Sequence, residues 1–296
     1  MARWFVFLAE ASYNQPDTKR NQSRAGIASL MFQNPIFALS IIAIIASASH
    51  RATLADETLD LRAVRSLETD PHLTRDGNRL TIRLENRAYR SVYIPRMHAS
   101  LRSISWVGIG SSKKPTVRPE TDHWVIRWKK APKEAKAIEL LFDTPPELKG
   151  QLDPIGQLGD GRLNLHAYQA TTTGEKLRFE PQPHKNTIGY WVNAKDFATW
   201  TIRVDRPGEF NVGILQGCGS GQGGSVAALS LGDGDQIVDR IEFTVEETGH
   251  FQNFIWRTVG VIRIPKAGDY TVRLQPKKIK HAALMDVRQI QLIPLP

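Results

Sequence analysis

Past residue 56, apolar and polar residues alternate in short runs broken by Gly, Pro, Asn or Asp. Leu80–Leu84 (LTIRL), Ser103–Val107 (SISWV), Trp124–Trp128 (WVIRW) and Ala137–Leu141 (AIELL) each send every second residue to one face. A period of two belongs to half-buried strands, and no stretch sustains the 3.6-residue period of a helix. Asp76-Gly77-Asn78 ahead of the first run predicts a hairpin. Strand runs about ten to twenty residues apart with no helix between them predict an antiparallel sandwich.

A Pro- and Gly-rich stretch, Thr144 to Gly161, reads as a domain boundary. Beyond it the pattern predicts strands at Leu163–Tyr168, Leu177–Phe179, Tyr190–Val192, Trp200–Val204, Glu209–Leu215, Val226–Leu231, Gln236–Thr244, Ile255–Ile264, Gly268–Pro276 and Ala283–Leu292. The turns at Arg206-Pro207-Gly208, Gly232-Asp233-Gly234-Asp235 and Lys266-Ala267-Gly268 are chemically explicit. The expected fold is all-β: two β-sandwich domains, residues 56–150 and 151–296, the second a jelly roll. Residues 1–55 stand apart as a targeting segment.

That segment carries the apolar run Phe37–Ala48, about 15 residues when counted from Pro35 to Ser49, against the roughly 20 that cross a bilayer. Ala46-Ser47-Ala48 and Thr53-Leu54-Ala55 follow it at the spacing read by signal peptidase. The expectation is a signal peptide and a product that is secreted, periplasmic or on the cell surface, with no membrane contact after cleavage. A single membrane anchor is the alternative. The polar stretch before Met31 is unlike a secretory n-region and fits translation starting at Met31.

Composition narrows the function. With 41% hydrophobic and 23% charged residues, the 296-residue chain is neither disordered nor collagen-like. A lone cysteine, Cys218, excludes a disulfide framework and thiolate zinc sites, and the eight histidines form no HxH or HExxH motif. The net charge of +9 is uneven, with 18 basic and 13 acidic residues in 56–150 against 16 and 15 in 151–296. Because Arg79, Arg83, Arg87 and Arg90 alternate with apolar residues, they read as a solvated sheet face, and no nucleic-acid partner is expected.

Candidate chemistry is sparse. Residues 219–224 match G-x-G-x-x-G, but Ser225 onward reads as a strand, so the loop lacks the βαβ context that binds a dinucleotide. Cys218 reads as a passive buried thiol. The acidic pairs Asp233/Asp235 and Glu246/Glu247 fall in turns and read as solvated, so no catalytic set emerges. The aromatics say more. Tyr190, Trp191, Phe197, Trp200, Phe251, Phe254 and Trp256 lie in two short stretches, and Phe251 falls in a loop after Thr248-Gly249-His250. A ring on the rim of a sandwich packs against the C–H face of a pyranose, while Asn193, Gln252 and Asn253 stand ready to bond hydroxyls.

Several motifs in order carry a resemblance. Ile188-Gly189-Tyr190-Trp191-Val192-Asn193-Ala194-Lys195-Asp196-Phe197, Arg206–Val212, Thr248-Gly249-His250-Phe251-Gln252, Ala267–Val272 and the closing Met285–Ile290 together resemble family 6 and family 35 carbohydrate-binding modules. More closely, residues 161–296 resemble the galactose-binding-like accessory domain of secreted bacterial sulfatases and α-L-fucosidases. The resemblance implies stacking rings at Tyr190 or Trp191 and at Phe251. It puts a sugar-bonding Asn near Leu284 and the acidic ligands of a structural Ca²⁺ near Leu165–Gln169; His166-Ala167-Tyr168-Gln169 supplies no carboxylate, which leaves Asp286 as the acidic ligand. Residues 56–150 faintly resemble the small β-sandwich that follows the α-L-fucosidase barrel, through Ser103-Ile104-Ser105-Trp106-Val107-Gly108. The barrel of roughly 250 residues is missing.

The expectation is an exported, non-catalytic glycan-binding protein that needs no cofactor beyond that calcium. Its partners would be a polysaccharide and, by resemblance, a glycoside hydrolase or sulfatase. A structural or protein-docking role is the alternative, and an inactive remnant of a fucosidase or sulfatase is a further one.

Overall fold

The computed structural model describes residues 57–296, so the expected signal segment and its cleavage boxes lie outside the described residues. Regular structure there is strand, apart from one 3-10 turn at Ala167–Gln169. Among the described residues, no helix is long and apolar enough to cross a membrane.

The first sandwich is built from β1 (Thr58–Asp60), β2 (Leu73–Asp76), β3 (Arg79–Arg83), β4 (Ser91–Pro95), β5 (Leu101–Trp106), β6 (Thr116–Pro119), β7 (His123–Arg127) and β8 (Ala137–Phe142). They form two sheets, β1-β4-β7-β6 and β2-β3-β8-β5. The predicted hairpin joins β2 to β3, with Asp76 opposite Arg79 and Gly77 left-handed at φ 55°. Alternation then decides what is inside: Leu80 and Ile82 are fully buried while Arg79 and Arg83 face water. Trp124 of β7 stacks on Phe142 of β8 across the two sheets, with ring centroids 6.3 Å apart. Burying a large apolar side chain contributes about 1.5–3 kcal/mol, so these paired rings anchor the core.

The second sandwich holds β9 (Ile155–Gly156), β10 (Leu163–His166), β11 (Thr171–Thr173), β12 (Arg178–Glu180), β13 (Thr187–Gly189), β14 (Phe197–Val204), β15 (Gly208–Gly217), β16 (Val226–Asp233), β17 (Gln236–Thr244), β18 (Ile255–Ile264), β19 (Gly268–Lys278) and β20 (Asp286–Pro294). One sheet runs β12-β13-β20-β15-β18 with β10 also on β20; the other runs β11-β14-β19-β16-β17 with β9 on β14. Trp200 of β14 reaches across the core and donates its indole N–H to the His166 carbonyl of the facing sheet, at 2.9 Å. Two of the expected turns close tightly. Asp233 pairs with Gln236 around Gly234 (φ 59°), and β18 passes to β19 through Lys266-Ala267-Gly268.

The two sandwiches form one compact unit. At their junction Arg178 of β12 donates to the Pro119 carbonyl (3.2 Å) and to Glu120 (2.9 Å), and Gln182 donates to the Val117 carbonyl (3.2 Å). His98 Nδ1 meets the Tyr168 carbonyl at 3.1 Å. Burial, reinforced by the Arg96 and Lys149 charges, pulls the His98 pKa down to about 3, so the ring is neutral there.

Tyr190–Val192, expected as a strand, is not one. β13 ends at Gly189, and Tyr190 turns the chain with a left-handed φ of 60°. Alternation of rings and small residues looks the same in a strand and in a turn that buries every other ring. Of the strands missing from the expectation, β1, β6 and β11 are short, and each is held by a longer neighbour.

Candidate functional site

Where β12, β13 and β20 end, they meet the loop that follows β17 and enclose a cleft of about 300 Å³ on the rim of the second sandwich. Its walls include Glu180, Lys185, Tyr190, Phe251, Gln252 and Asp286. That volume is at the small end of the range for small-molecule sites.

Tyr190 supplies the ring. It is 48% exposed, and the Arg178 guanidinium carbon lies 3.7 Å from the ring centroid, a cation–π stack that fixes the ring's plane. Arg178 is itself held by Pro119 and Glu120 of the first sandwich, so that sandwich backs the ring. A left-handed backbone at a non-glycine residue costs about 1–3 kcal/mol and persists only where the surroundings over-determine it.

Phe251 is placed by glycines. A Cβ on Gly219 would sit 2.6 Å from the Phe251 ring, and one on Gly217 would sit 2.0 Å from the Phe251 carbonyl oxygen. Only bare backbone at these two positions lets the loop close. Thr248 reinforces it by accepting from the Cys218 amide (2.8 Å), while the Ser220 amide donates to the Gly249 carbonyl (3.2 Å). The G-x-G-x-x-G loop thus has a structural task. The anion its amides hold is the molecule's own, since Gly221 N–H donates to the Glu247 carboxylate at 2.7 Å. Burial pushes the neighbouring Cys218 thiol up to about 11, which makes it inert at neutral pH.

The polar wall was not legible in the sequence. Glu180 (4% exposed) and Asp286 (7% exposed) flank Gly189, and a Cβ on that glycine would lie 2.7 Å from Glu180 Oε2 and 2.9 Å from Asp286 Oδ1. Lys185 pairs with Glu180, and its loop is pinned by Arg288, which donates to the Lys185 and His184 carbonyls. Burial, and then the Glu180 charge, push the Asp286 carboxyl up to about 8, with Lys185 opposing. At neutral pH Asp286 is therefore a carboxylic acid, able to donate as well as accept. The two carboxyls lean over Gly189 from flanking strands of one sheet.

Several expectations need correction. Trp191 is 1% exposed and donates its indole N–H to the Asp196 carbonyl at 2.9 Å; it braces the cleft from inside and offers no stacking face. Asn193 does not line the cleft, because its Oδ1 accepts from the Lys195 amide (2.9 Å) in a tight turn. Asn253 spends its Nδ2–H₂ on the Thr248 carbonyl (2.5 Å). Of the three amides, Gln252 lines the cleft and is exposed. Leu284, where the sugar-bonding Asn was expected, is fully buried; the polar residue of the last strand that reaches the cleft is Asp286. Asp286 does not fit calcium either, since its neighbours are one carboxylate and an ammonium. Among the described residues no group of three or more His, Cys, Asp or Glu could hold a metal.

The remaining aromatics are structural or sit elsewhere. Phe197 lies under Arg273 and Phe254 under Arg288, with guanidinium carbons 3.6 and 3.9 Å from the ring centroids. Trp256 is exposed on the outer face of β18, over Gly213. Asp196, inside the motif that carried the resemblance, is buried and accepts the amides of Glu175, Lys176 and Leu177.

No family model and no curated protein matches the chain. Solved structures similar to it include the C-terminal family 6 carbohydrate-binding module of a marine laminarinase from Zobellia galactanivorans (17% identity, 45% of this chain, 98% of that one, TM-score 0.36). A family 35 carbohydrate-binding module from Clostridium thermocellum is another (12% identity, 45% and 98%, TM-score 0.36). An α-L-fucosidase from Vibrio sp. strain EJY3 is a third (13% identity, 75% and 39%, TM-score 0.32), and the chain spans about two fifths of its length. These are the groups that the sequence motifs resemble.

Proposed function

We propose that this is a non-catalytic glycan-binding protein whose second sandwich, a jelly-roll module spanning residues 151–296, seats a sugar in the rim cleft. The observation that carries the reading is Tyr190, a half-exposed ring held in a left-handed turn and stacked on Arg178 beside two buried carboxyls. The ring takes the apolar face of a pyranose. The Asp286 hydroxyl and carbonyl, the Lys185–Glu180 pair and the Gln252 amide bond its hydroxyls, and Phe251 closes the far wall. The non-catalytic part is tested on the two cleft carboxyls: turnover of aryl glycosides above blank, abolished by Asp286→Asn, would overturn it. A glycoside hydrolase or sulfatase as physical partner, and an exported location, complete the proposal.

The test is a glycan array with the full chain, followed by titration of the best ligand into variants. Tyr190→Gly removes the ring and also relieves the left-handed backbone. Binding should fall about 5- to 150-fold, roughly 1–3 kcal/mol, with the melting temperature unchanged or raised. Phe251→Ala should weaken binding by a similar factor. If neither substitution moves the affinity of an array-positive glycan, the rim cleft is not the site, and a protein-docking role for this rim takes precedence.

A further inference from the structure

A second cleft, of about 630 Å³, opens at one end of the first sandwich and is lined by Arg90, Lys113, Lys114, Arg127, Lys129 and Lys130 around Trp128. The topology brings these residues together. Arg127 ends β7, its register neighbours on both sides are Ser91 of β4 and Thr116 of β6, and so the residue before β4, the loop before β6 and the loop after β7 converge at the same sheet end. The lysine-bearing loop before β6 is fixed: Trp106 donates its indole N–H to the Lys113 carbonyl at 3.0 Å, and the Lys113 amide donates to Ser111 Oγ at 3.2 Å.

The charge at this end is unbalanced. Elsewhere on this sandwich Arg62, Arg75, Arg79, Arg102 and Arg118 each meet a carboxylate, and cations without an ion pair among the described residues, such as Arg83, Lys133 and Lys136, stand exposed outside any such cleft. Among the described residues none of the six cations here has an ion-pair partner and no Asp or Glu lines the cleft, although Arg90 donates to the Arg87, Ala88 and Tyr89 carbonyls of its own loop. Like charges within one Debye length repel, and a concave surface of one sign focuses its field outward. Such an arrangement is relieved when an anion arrives. The expectation of a solvated sheet face accounts for Arg79 and Arg83, but not for Arg90, which borders this cleft.

We infer that this end of the first sandwich binds a polyanionic polysaccharide, one that carries sulfate or carboxylate groups along its chain. Single-stranded nucleic acid binds through rings offered as stacking platforms between cations. Trp128 is only 7% exposed and sits edge-on to Trp106, with centroids 5.5 Å apart and planes at 81°, so the cleft has cations without a platform. The proposal is independent of the rim cleft of the second sandwich, since the two share no residue.

The experiment titrates the full chain with dextran sulfate, unsulfated dextran and oligothymidylate of matched charge at several salt concentrations. Dextran sulfate should bind, dextran should not, and the affinity should fall steeply with salt as counterions are released. The exposed-lysine variants Lys113→Gln/Lys114→Gln and Lys129→Gln/Lys130→Gln should each lower that affinity roughly 3- to 10-fold and flatten the salt slope. Their melting temperatures should hold, and so should any neutral-glycan binding by the second sandwich. Absence of dextran sulfate binding overturns the proposal, as does affinity unmoved in both double variants. Oligothymidylate binding as tight as dextran sulfate at equal salt overturns it in favour of nucleic acid.

Discussion

The rim cleft of the second sandwich hides its charges and exposes a ring, whereas the cleft of the first sandwich hides its ring and exposes its charges. Both sit at the end of a sheet, where strands stop and loops are free to carry chemistry. In the rim cleft Glu180 is neutralised by Lys185 and Asp286 is protonated, so what reaches the solvent is the Tyr190 face. In the other, Trp128 is a floor and the lysines are the surface. The difference predicts different physics. Contact between a ring and a sugar face is short-ranged and barely responds to salt, while a field of unpaired lysines acts over about 10 Å and fades as ionic strength rises.

The largest effect should come from the glycines that seat Phe251. In Gly217→Ala the new methyl meets the Phe251 carbonyl, which is backbone and must move, so the loop opens at a cost of about 1–3 kcal/mol and glycan binding is lost. In Gly219→Ala the methyl meets the Phe251 ring, which can swing away. Binding should be lost there with less loss of stability. Chemical denaturation and glycan titration of the pair check this, and equal stability losses would break the argument. Neither substitution should alter dextran sulfate binding.

Next in size is the pH dependence of stability, to which the two sandwiches contribute opposite limbs. Asp286 titrates at about 8 in the folded chain, above its ordinary carboxylate value. Its contribution is complete below about pH 4 and is lost as pH rises toward 8. His98 is depressed to about 3 from the usual 6.5, so its contribution is complete above about 6.5 and is lost as pH falls toward 3. Between about pH 4 and 6.5 the two slopes oppose each other, so denaturant midpoints measured from pH 4 to 9 should be nearly level up to about 6.5 and then fall toward 8. Asp286→Asn should abolish the fall above 6.5 and uncover the His98 rise between about 4 and 6.5, whereas His98→Gln should uncover a fall that begins near pH 4. Because Asn keeps a donor and an acceptor, Asp286→Asn should hold glycan affinity within about threefold at pH 7.

The sequence made the scaffold readable and left half of each cleft dark, for identifiable reasons. Period-two runs such as LTIRL became strands because one face of each is buried whatever else happens. Phe251 stood out because a ring in a loop has no alternation to bury it, whereas Tyr190, in a stretch that reads as a strand, was reached through the motif resemblance. Trp191 was ambiguous, since only the indole bond to Asp196 shows that it turns inward. Glu180, Lys185 and Asp286 are brought together by β12, β13 and β20, whose pairing joins residues about a hundred positions apart and leaves no local trace. Glu180 gave no local signal, because in Leu177-Arg178-Phe179-Glu180 the alternation puts it where an ordinary solvent-facing residue belongs. The basic cleft was hidden by the same reading that was right for Arg79. Alternation shows that a residue faces water, but it cannot show that six such residues face the same water.

The smallest effect should join the two regions. Glu120 of the first sandwich accepts Arg118 on one oxygen (2.8 Å) and Arg178 on the other (2.9 Å), and Arg178 is the cation stacked on Tyr190. Glu120→Gln keeps the shape, and Arg178 keeps its bond to the Pro119 carbonyl, but the guanidinium loses its counter-charge. The pair is partly exposed, so stability should change by less than about 1 kcal/mol. The stack should loosen, and glycan affinity should fall about 2- to 5-fold. The discriminating measurement is a double-mutant cycle with Tyr190→Gly, read by titration at glycan concentrations high enough to saturate the weaker variants. If Glu120 acts through Arg178 on the ring, its effect vanishes once the ring is gone. Fully additive losses would mean that the first sandwich does not position Tyr190, and the two clefts would then share a scaffold without any coupling between them.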